Sequence, residues 1–193
     1  GDSLLRAREL GATEALVGNL GLIPAAAEQG FTLRADYGLP VFNAQALKEC
    51  KRLGFASATL SFELKLAQIR DLSKALPAEA IVYGRLPLML TENCIVKNRT
   101  GRCGCEGENV LTDRRGARFP VVKAPGCRSE ILNSRPLFLA DKPEWKRAGL
   151  TYARLAFTTE SAGECVRVLE RYQGKNGWTP AELTRGLYYR GVE

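Results

Sequence analysis

Short apolar, strand-like runs alternate with amphipathic, helix-like runs along this chain, at intervals of about 25 residues. "EALVGNLG" (14–21) reads as a strand and "IPAAAEQG" (23–30) as a short helix closed by glycine. "FTLRADYGLPVFN" (31–43) holds the next strand, before the helix "AQALKECKRLG" (44–54), again with a terminal glycine. "FASATLSFEL" (55–64) and "KLAQIRDLSKAL" (65–76) give a third strand and helix, and "AEAIVYGRLPLML" (78–90) a fourth strand. A fifth strand, "YARLAFTTE" (152–160), leads into the helix "SAGECVRVLERYQG" (161–174), with Ser161 at the N-cap and Glu164 at the capping-box spacing. Alternation of this kind predicts an α/β fold of parallel βα units.

Five such strands suit a small open sheet, or the second half of an eight-stranded barrel, which as a whole needs roughly 250 residues. The chain opens on "SLLRAREL", a helix-like segment that would ordinarily follow a strand, so the expectation is a fragment lacking its earlier units. With 193 residues and 45% apolar content it has ample material for a core. The reading is a single domain or domain fragment: βα units over 1–90, an insertion over 91–140, and a last βα unit with a tail over 141–193. The insertion reads as mostly irregular, apart from "VLTDRRGARFPVVK", a small β-hairpin turning at Arg114–Gly116.

That insertion concentrates the sulfur. "CIVKNRTGRCGC" (94–105) carries three of the six cysteines, and Cys127 follows in "APGCRSEI". Cys50 lies between Leu47 and Leu53 on an apolar helix face, and Cys165 lines up with Leu169 and Tyr172, so both read as core thiols. The loop set has the spacing C-x8-C-x-C-x21-C, and Gly101, Gly104 and Gly126 allow tight folding around a small object. Without imidazole, four thiolates suit zinc or an iron–sulfur cluster; disulfides and unligated thiols remain the alternatives. "GDSLLRAREL" lacks the layout of a secretion signal, which leads to the expectation of a cytoplasmic, reducing compartment, and no apolar run is long enough to span a bilayer.

The chain has no histidine. It therefore cannot itself supply a Ser-His-Asp triad, a Cys-His dyad or H-E-x-x-H, and any general base must be carboxylate, lysine, tyrosine or thiolate. Net charge is +7. Nine bases (Lys97, Arg99, Arg102, Arg114, Arg115, Arg118, Lys123, Arg128, Arg135) face four acids (Glu106, Glu108, Asp113, Glu130) across the cysteine segment, which favours an anion near the sulfur. Polar residues near the predicted carboxyl ends of strands, namely Asn19, Asp36, Asn43, Glu63, Arg85 and Glu160, would form a polar pocket able to hold a carboxylate-bearing ligand.

The stretches "LRADYGLPVFNAQALKECKRLG", "TLSFEL", "YGRLPLMLTENC", "LTDRRGARFPV", "CRSEILNSRPLFLAD" and "LTRGLYYRGV", in that order, resemble peptidase family U32, the collagenase-like proteases. The resemblance implies a TIM-like barrel of which this chain is the C-terminal half, so a partner would be the barrel's N-terminal half. Some relatives are oxygen-independent hydroxylases of ribosomal RNA, transfer RNA or the ubiquinone ring. They carry a 4Fe–4S cluster on four cysteines and use prephenate as hydroxyl source. The likeness puts ligands at Cys94, the Cys103/Cys105 pair and Cys127, with Cys165 as an alternative fourth.

The expectation is thus an iron–sulfur-dependent hydroxylation of a base in structured RNA, with prephenate as possible donor and Arg85, Arg115 or Arg128 near the small carboxylate ligand. The substrate-binding candidates are Asn19, Asp36, Asn43, Arg85, Arg115 and Arg128; the catalytic candidates are Glu63, Arg85 and Glu160. The alternatives are a peptidase, as the family label says, using Glu63, Glu160 or loop thiolate, and a non-catalytic binding domain tied by zinc. Open strand edges also predict a homodimer.

Overall fold

A computed structural model describes residues 2–190. The opening helix, α1, runs over Asp2–Glu9. The βα expectation then holds unit by unit: β1 Glu14–Val17, α2 Ile23–Glu28, β2 Thr32–Ala35, α3 Ala44–Arg52, β3 Ser57–Thr59, α4 Leu66–Asp71 and β4 Ala78–Gly84. β1, β2, β3 and β4 pair in parallel in chain order, and β10 (Tyr152–Ala156) follows β4 in the sheet. This is a mixed α/β fold with a parallel five-stranded sheet and helices, the arrangement of half a TIM-like barrel.

The chain divides into two compact units. Within the described residues the first comprises 2–82, 141–154 and 185–190. Its helices form where the sequence supplies a cap and one apolar face. The Asn43 side-chain oxygen accepts the Ala46 N–H at 2.9 Å, and α3 then buries Leu47 and Cys50. These pack in a core with Leu33, Ala58, Leu60, Ile69, Ala80 and Val82. Tyr188 is 2% exposed, and its hydroxyl donates to the Ile81 carbonyl at 2.7 Å.

The second unit comprises 83–140 and 155–184. Here two expectations are corrected. The predicted strand over 78–90 is two strands, because the chain turns at Gly84. Its φ of 127° belongs to glycine, and a Cβ there would lie 2.1 Å from the Ala156 carbonyl oxygen. β5 (Pro87–Thr91) then enters a different sheet. The segment 91–140 is ordered and not irregular. α5 (Ile95–Thr100), β6 (Asn109–Thr112), β7 (Arg118–Ala124), β8 (Arg128–Leu132) and β9 (Leu137–Phe138) occupy it.

β5, β8, β7 and β6 form a four-stranded antiparallel sheet in that order, while β9 pairs antiparallel with Tyr83 and Gly84. The expected hairpin is β6–β7: Asp113 Oδ1 accepts from the N–H groups of Arg115 and Ala117, and Gly116 has φ 83°. α6 (Ala162–Tyr172) starts at Ser161 with its capping box made both ways to Glu164. Its Val168 packs with Tyr83 and Phe138, and Tyr172 and Trp178 meet the Phe138 ring edge-on at 6.0 Å. Among the described residues no helix is long and apolar enough to cross a membrane.

Candidate functional site

The thiol loop begins where β5 gives way to α5. Cys94 is the helix N-cap, and its Sγ accepts the Lys97 N–H at 3.4 Å. Gly101, with φ 72°, ends the helix and turns the chain back toward Cys103 and Cys105. Cys105 Sγ lies 3.7 Å from Cys94 Sγ and 3.3 Å from Cys103 Sγ. Three of the four predicted sulfurs are therefore in a contiguous row.

The row has a polarity. The backbone N–H of Lys97 holds the Cys94 thiol below its ordinary range, and the hydrogen bond from Cys105 does the same for Cys103. Cys105, hydrogen-bonded with Cys103 and Cys94, is pushed up to about 11. Lys123, paired to Glu106 at 2.6 Å, adds positive charge beside Cys103.

Cys127 stands in the β7–β8 turn, exposed, with φ 59°, and no described contact joins it to the row. Cys165, on α6, is half-buried with its Sγ 4.0 Å from the Glu160 carbonyl, and Cys50 is buried, which pushes its thiol up. None of the six is in a disulfide. Among the described residues no three or more Cys, Asp or Glu side chains are laid out to hold a metal ion. The donor chemistry of the loop suits a thiolate-bound metal, while the sulfurs as placed form a hydrogen-bonded row with the fourth apart.

Two cavities adjoin in the same unit, with Thr159 lining both. One, of about 400 Å³, is walled by Glu106, Glu108, Asn109, Val110 and Val122, directly after the last loop cysteine. The other, of about 340 Å³, is walled by Tyr83, Arg85, Glu160, Glu164, Trp178 and Glu182. Arg85 donates through Nη1 to the carbonyls of Asn133 (3.0 Å) and Ser134. Glu160 accepts the Tyr83 hydroxyl at 3.2 Å and the N–H groups of Thr158 and Thr159 at 2.7 and 3.0 Å. Burial, then that carboxylate, pushes the Tyr83 hydroxyl far above its ordinary range, so it stays a donor. Three carboxylates face one guanidinium, so this cavity favours a neutral or cationic group over a small carboxylate.

Arg85 and Glu160 are thus brought together. The remaining predicted residues have local partners of their own. The Asn19 side chain accepts the Gly21 N–H at 2.8 Å, and Asn43 caps α3. Asp36 takes Arg154 at 2.6 Å and the Tyr37 N–H. Glu63 is exposed, its backbone N–H on Ser61 Oγ. Arg115 is exposed in the β6–β7 turn, and Arg128 donates to the Pro125 carbonyl at 2.8 Å, with Glu92 3.6 Å away. Sequence reasoning missed Arg154, which spans Asp36, Thr59 (2.8 Å) and Glu79 on three other segments of the first unit. Its signal is a lone arginine inside the otherwise apolar strand "YARLA".

Parallel βα units and a thiol-bearing insertion with polar cavities define a barrel-type α/β protein with a cysteine-rich site. A match to the family model for peptidase family U32, over residues 2–109, carries this further: the chain belongs to that family. The matched span takes in Cys94, Cys103 and Cys105 and stops before Cys127. No curated protein and no solved structure matches the chain.

Proposed function

We propose that the chain serves an enzyme of the U32 family whose insertion binds an iron–sulfur cluster through Cys94, Cys103, Cys105 and Cys127, with Cys165 as the alternative ligand, and which hydroxylates a base in structured RNA. The observation that supports it is the sulfur row, two of whose members are held toward the thiolate that metal binding needs. A bound cluster would supply electron transfer or an electrophilic iron.

The chain's own residues provide the setting. Lys97, Arg99, Arg102, Arg114, Arg115 and Arg118 are exposed and in none of the described ion pairs, which suits a phosphate backbone. Tyr83 and Glu160, bonded to each other, form a fixed polar pair in the wall of the cavity they share with Arg85. Prephenate, the hydroxyl donor the family likeness implies, is a dicarboxylate; Arg85 is the cation available to it, and the surrounding carboxylates oppose it. Anaerobically purified protein is expected to absorb broadly near roughly 400 nm and to hold about four irons per chain.

One observation favours zinc instead. With Zn–S of about 2.3 Å, thiolates on one tetrahedral zinc sit about 3.8 Å apart, close to the 3.7 Å between Cys94 and Cys105. A colourless protein with about one tightly held zinc would select that reading. A peptidase finds less support: Glu160 already has its oxygens engaged, and Glu63 is exposed.

A further inference from the structure

The first unit carries a cavity of about 450 Å³ that no part of the reading above uses. It opens between α4, the short 3-10 turn Glu144–Arg147, and Tyr188 and Tyr189. The size lies within the range of small-ligand pockets. Its floor is held in place. The Leu66 N–H donates to the Tyr188 carbonyl at 2.9 Å, and the buried Tyr188 is fixed through its hydroxyl to Ile81.

Three bases, Lys65, Arg70 and Arg147, line this space against one acid, Glu144. Arg70 is paired with Asp71, and Glu144 accepts the Tyr189 hydroxyl at 3.3 Å. Lys65 and Arg147 take part in none of the described ion pairs. Two unneutralised cations on one small cavity repel each other, and an anion between them relieves that cost. The wall beside them is aromatic: Tyr189 is 42% exposed and offers a ring on which a planar group can stack.

We propose that this cavity binds a nucleoside phosphate, with the phosphate between Lys65 and Arg147 and the base against Tyr189. The site belongs to the first unit and does not depend on what the cysteines hold. The same chemistry comes from two sources, a free mononucleotide or one unit of a single RNA strand.

Isothermal titration of the protein with adenosine 5′-monophosphate, adenosine, inorganic phosphate and hexaadenylate tests it. The monophosphate is expected to bind saturably and to weaken as salt is raised, with adenosine at least about tenfold weaker. Lys65→Ala/Arg147→Ala should weaken monophosphate binding about tenfold or more. Both side chains are exposed, so the fold should survive, and Lys65→Gln/Arg147→Gln repeats the measurement with more of each side chain kept. Tyr189→Ala should weaken the monophosphate while leaving inorganic phosphate unchanged. Hexaadenylate binding about tenfold tighter than the monophosphate would support an RNA strand as the source, and equal or weaker binding a free nucleotide. No saturable binding of any phosphate-bearing probe overturns the proposal. So does equal affinity for adenosine and its monophosphate, or full affinity in the double variant.

Discussion

Arg154 is the residue whose removal should tell most about the first unit. Its guanidinium reaches Asp36 at 2.6 Å, Thr59 Oγ1 at 2.8 Å and Glu79, with Arg154, Asp36 and Glu79 side chains 18%, 21% and 20% exposed. Arg154→Met keeps much of the stem and removes the charge, leaving two mostly buried carboxylates without their cation. Breaking a buried pair from one side costs about 3–5 kcal/mol, and the remaining exposure argues for the lower end, about 3 kcal/mol. For a chain of this size each kcal/mol moves Tm by about 2–4 °C, so the variant should melt about 6–12 °C lower.

Arg52→Met is the control. Arg52 meets Glu49 at 2.6 Å, but their side chains are 70% and 52% exposed, and water already solvates both, so its loss should leave stability nearly unchanged. Urea unfolding followed by circular dichroism measures both variants on the same footing. Equal losses for the two would refute the reasoning, since it rests on burial and not on the distance between charges.

Other expectations concern single contacts. Gly84→Ala should lower stability by about 2 kcal/mol or more, because its Cβ would meet the Ala156 carbonyl and its φ is positive; a neutral result in the same urea assay would contradict the turn. Ser161→Ala removes the α6 capping box and should cost about 1 kcal/mol, seen as a Tm lower by about 2–4 °C. Arg185, bonded at 2.6 and 2.7 Å, holds the Asp141 carboxyl below its ordinary range, so the pair stabilises the fold above the unfolded value of about 3.9 and loses this as pH falls further. The stability gap between the protein and Asp141→Asn should accordingly shrink below about pH 4, and a gap constant across that range would exclude the linkage. In the folded, metal-free protein, maleimide should label Cys103 and Cys127 and spare Cys50, which is 6% exposed, until urea unfolds the chain; mass spectrometry of the labelled peptides decides this.

Much of the fold was legible in order and kind because its signals are local. Glycines closing α2 and α3, Asn43 and Ser161 at N-caps, and one apolar stripe per helix act within a turn of chain, so reading the residues suffices. The β6–β7 hairpin was legible from its turn, but β8 and the full antiparallel sheet were not, because "RSEIL" carries too few apolar residues to announce a strand alone. It is a strand because β7 on one side and β5 on the other take up its hydrogen bonds. β5 was misjoined to β4 for a related reason. "AEAIVYGRLPLML" reads as one apolar run, and only the Ala156 carbonyl pressed against Gly84 makes that position a turn.

The candidate site divides in the same way. The sequence by itself determined that any soft-metal ligation in this chain would have to fall to sulfur, since it holds six cysteines and no histidine, and that bases share the segment with the loop thiols. Tertiary structure decided which thiols meet. Cys94 joins Cys103 and Cys105 because α5 and the Gly101 turn double the chain back, while Cys127 is carried into another turn by β7. It also decided that Glu160 and Tyr83, 77 positions apart, share a proton donor and acceptor, and that Arg154 would sit among three strangers in sequence. Residue type sets what a group can donate, accept or ligate; only the path of the backbone brings groups from distant positions within the roughly 3 Å where such chemistry has any strength.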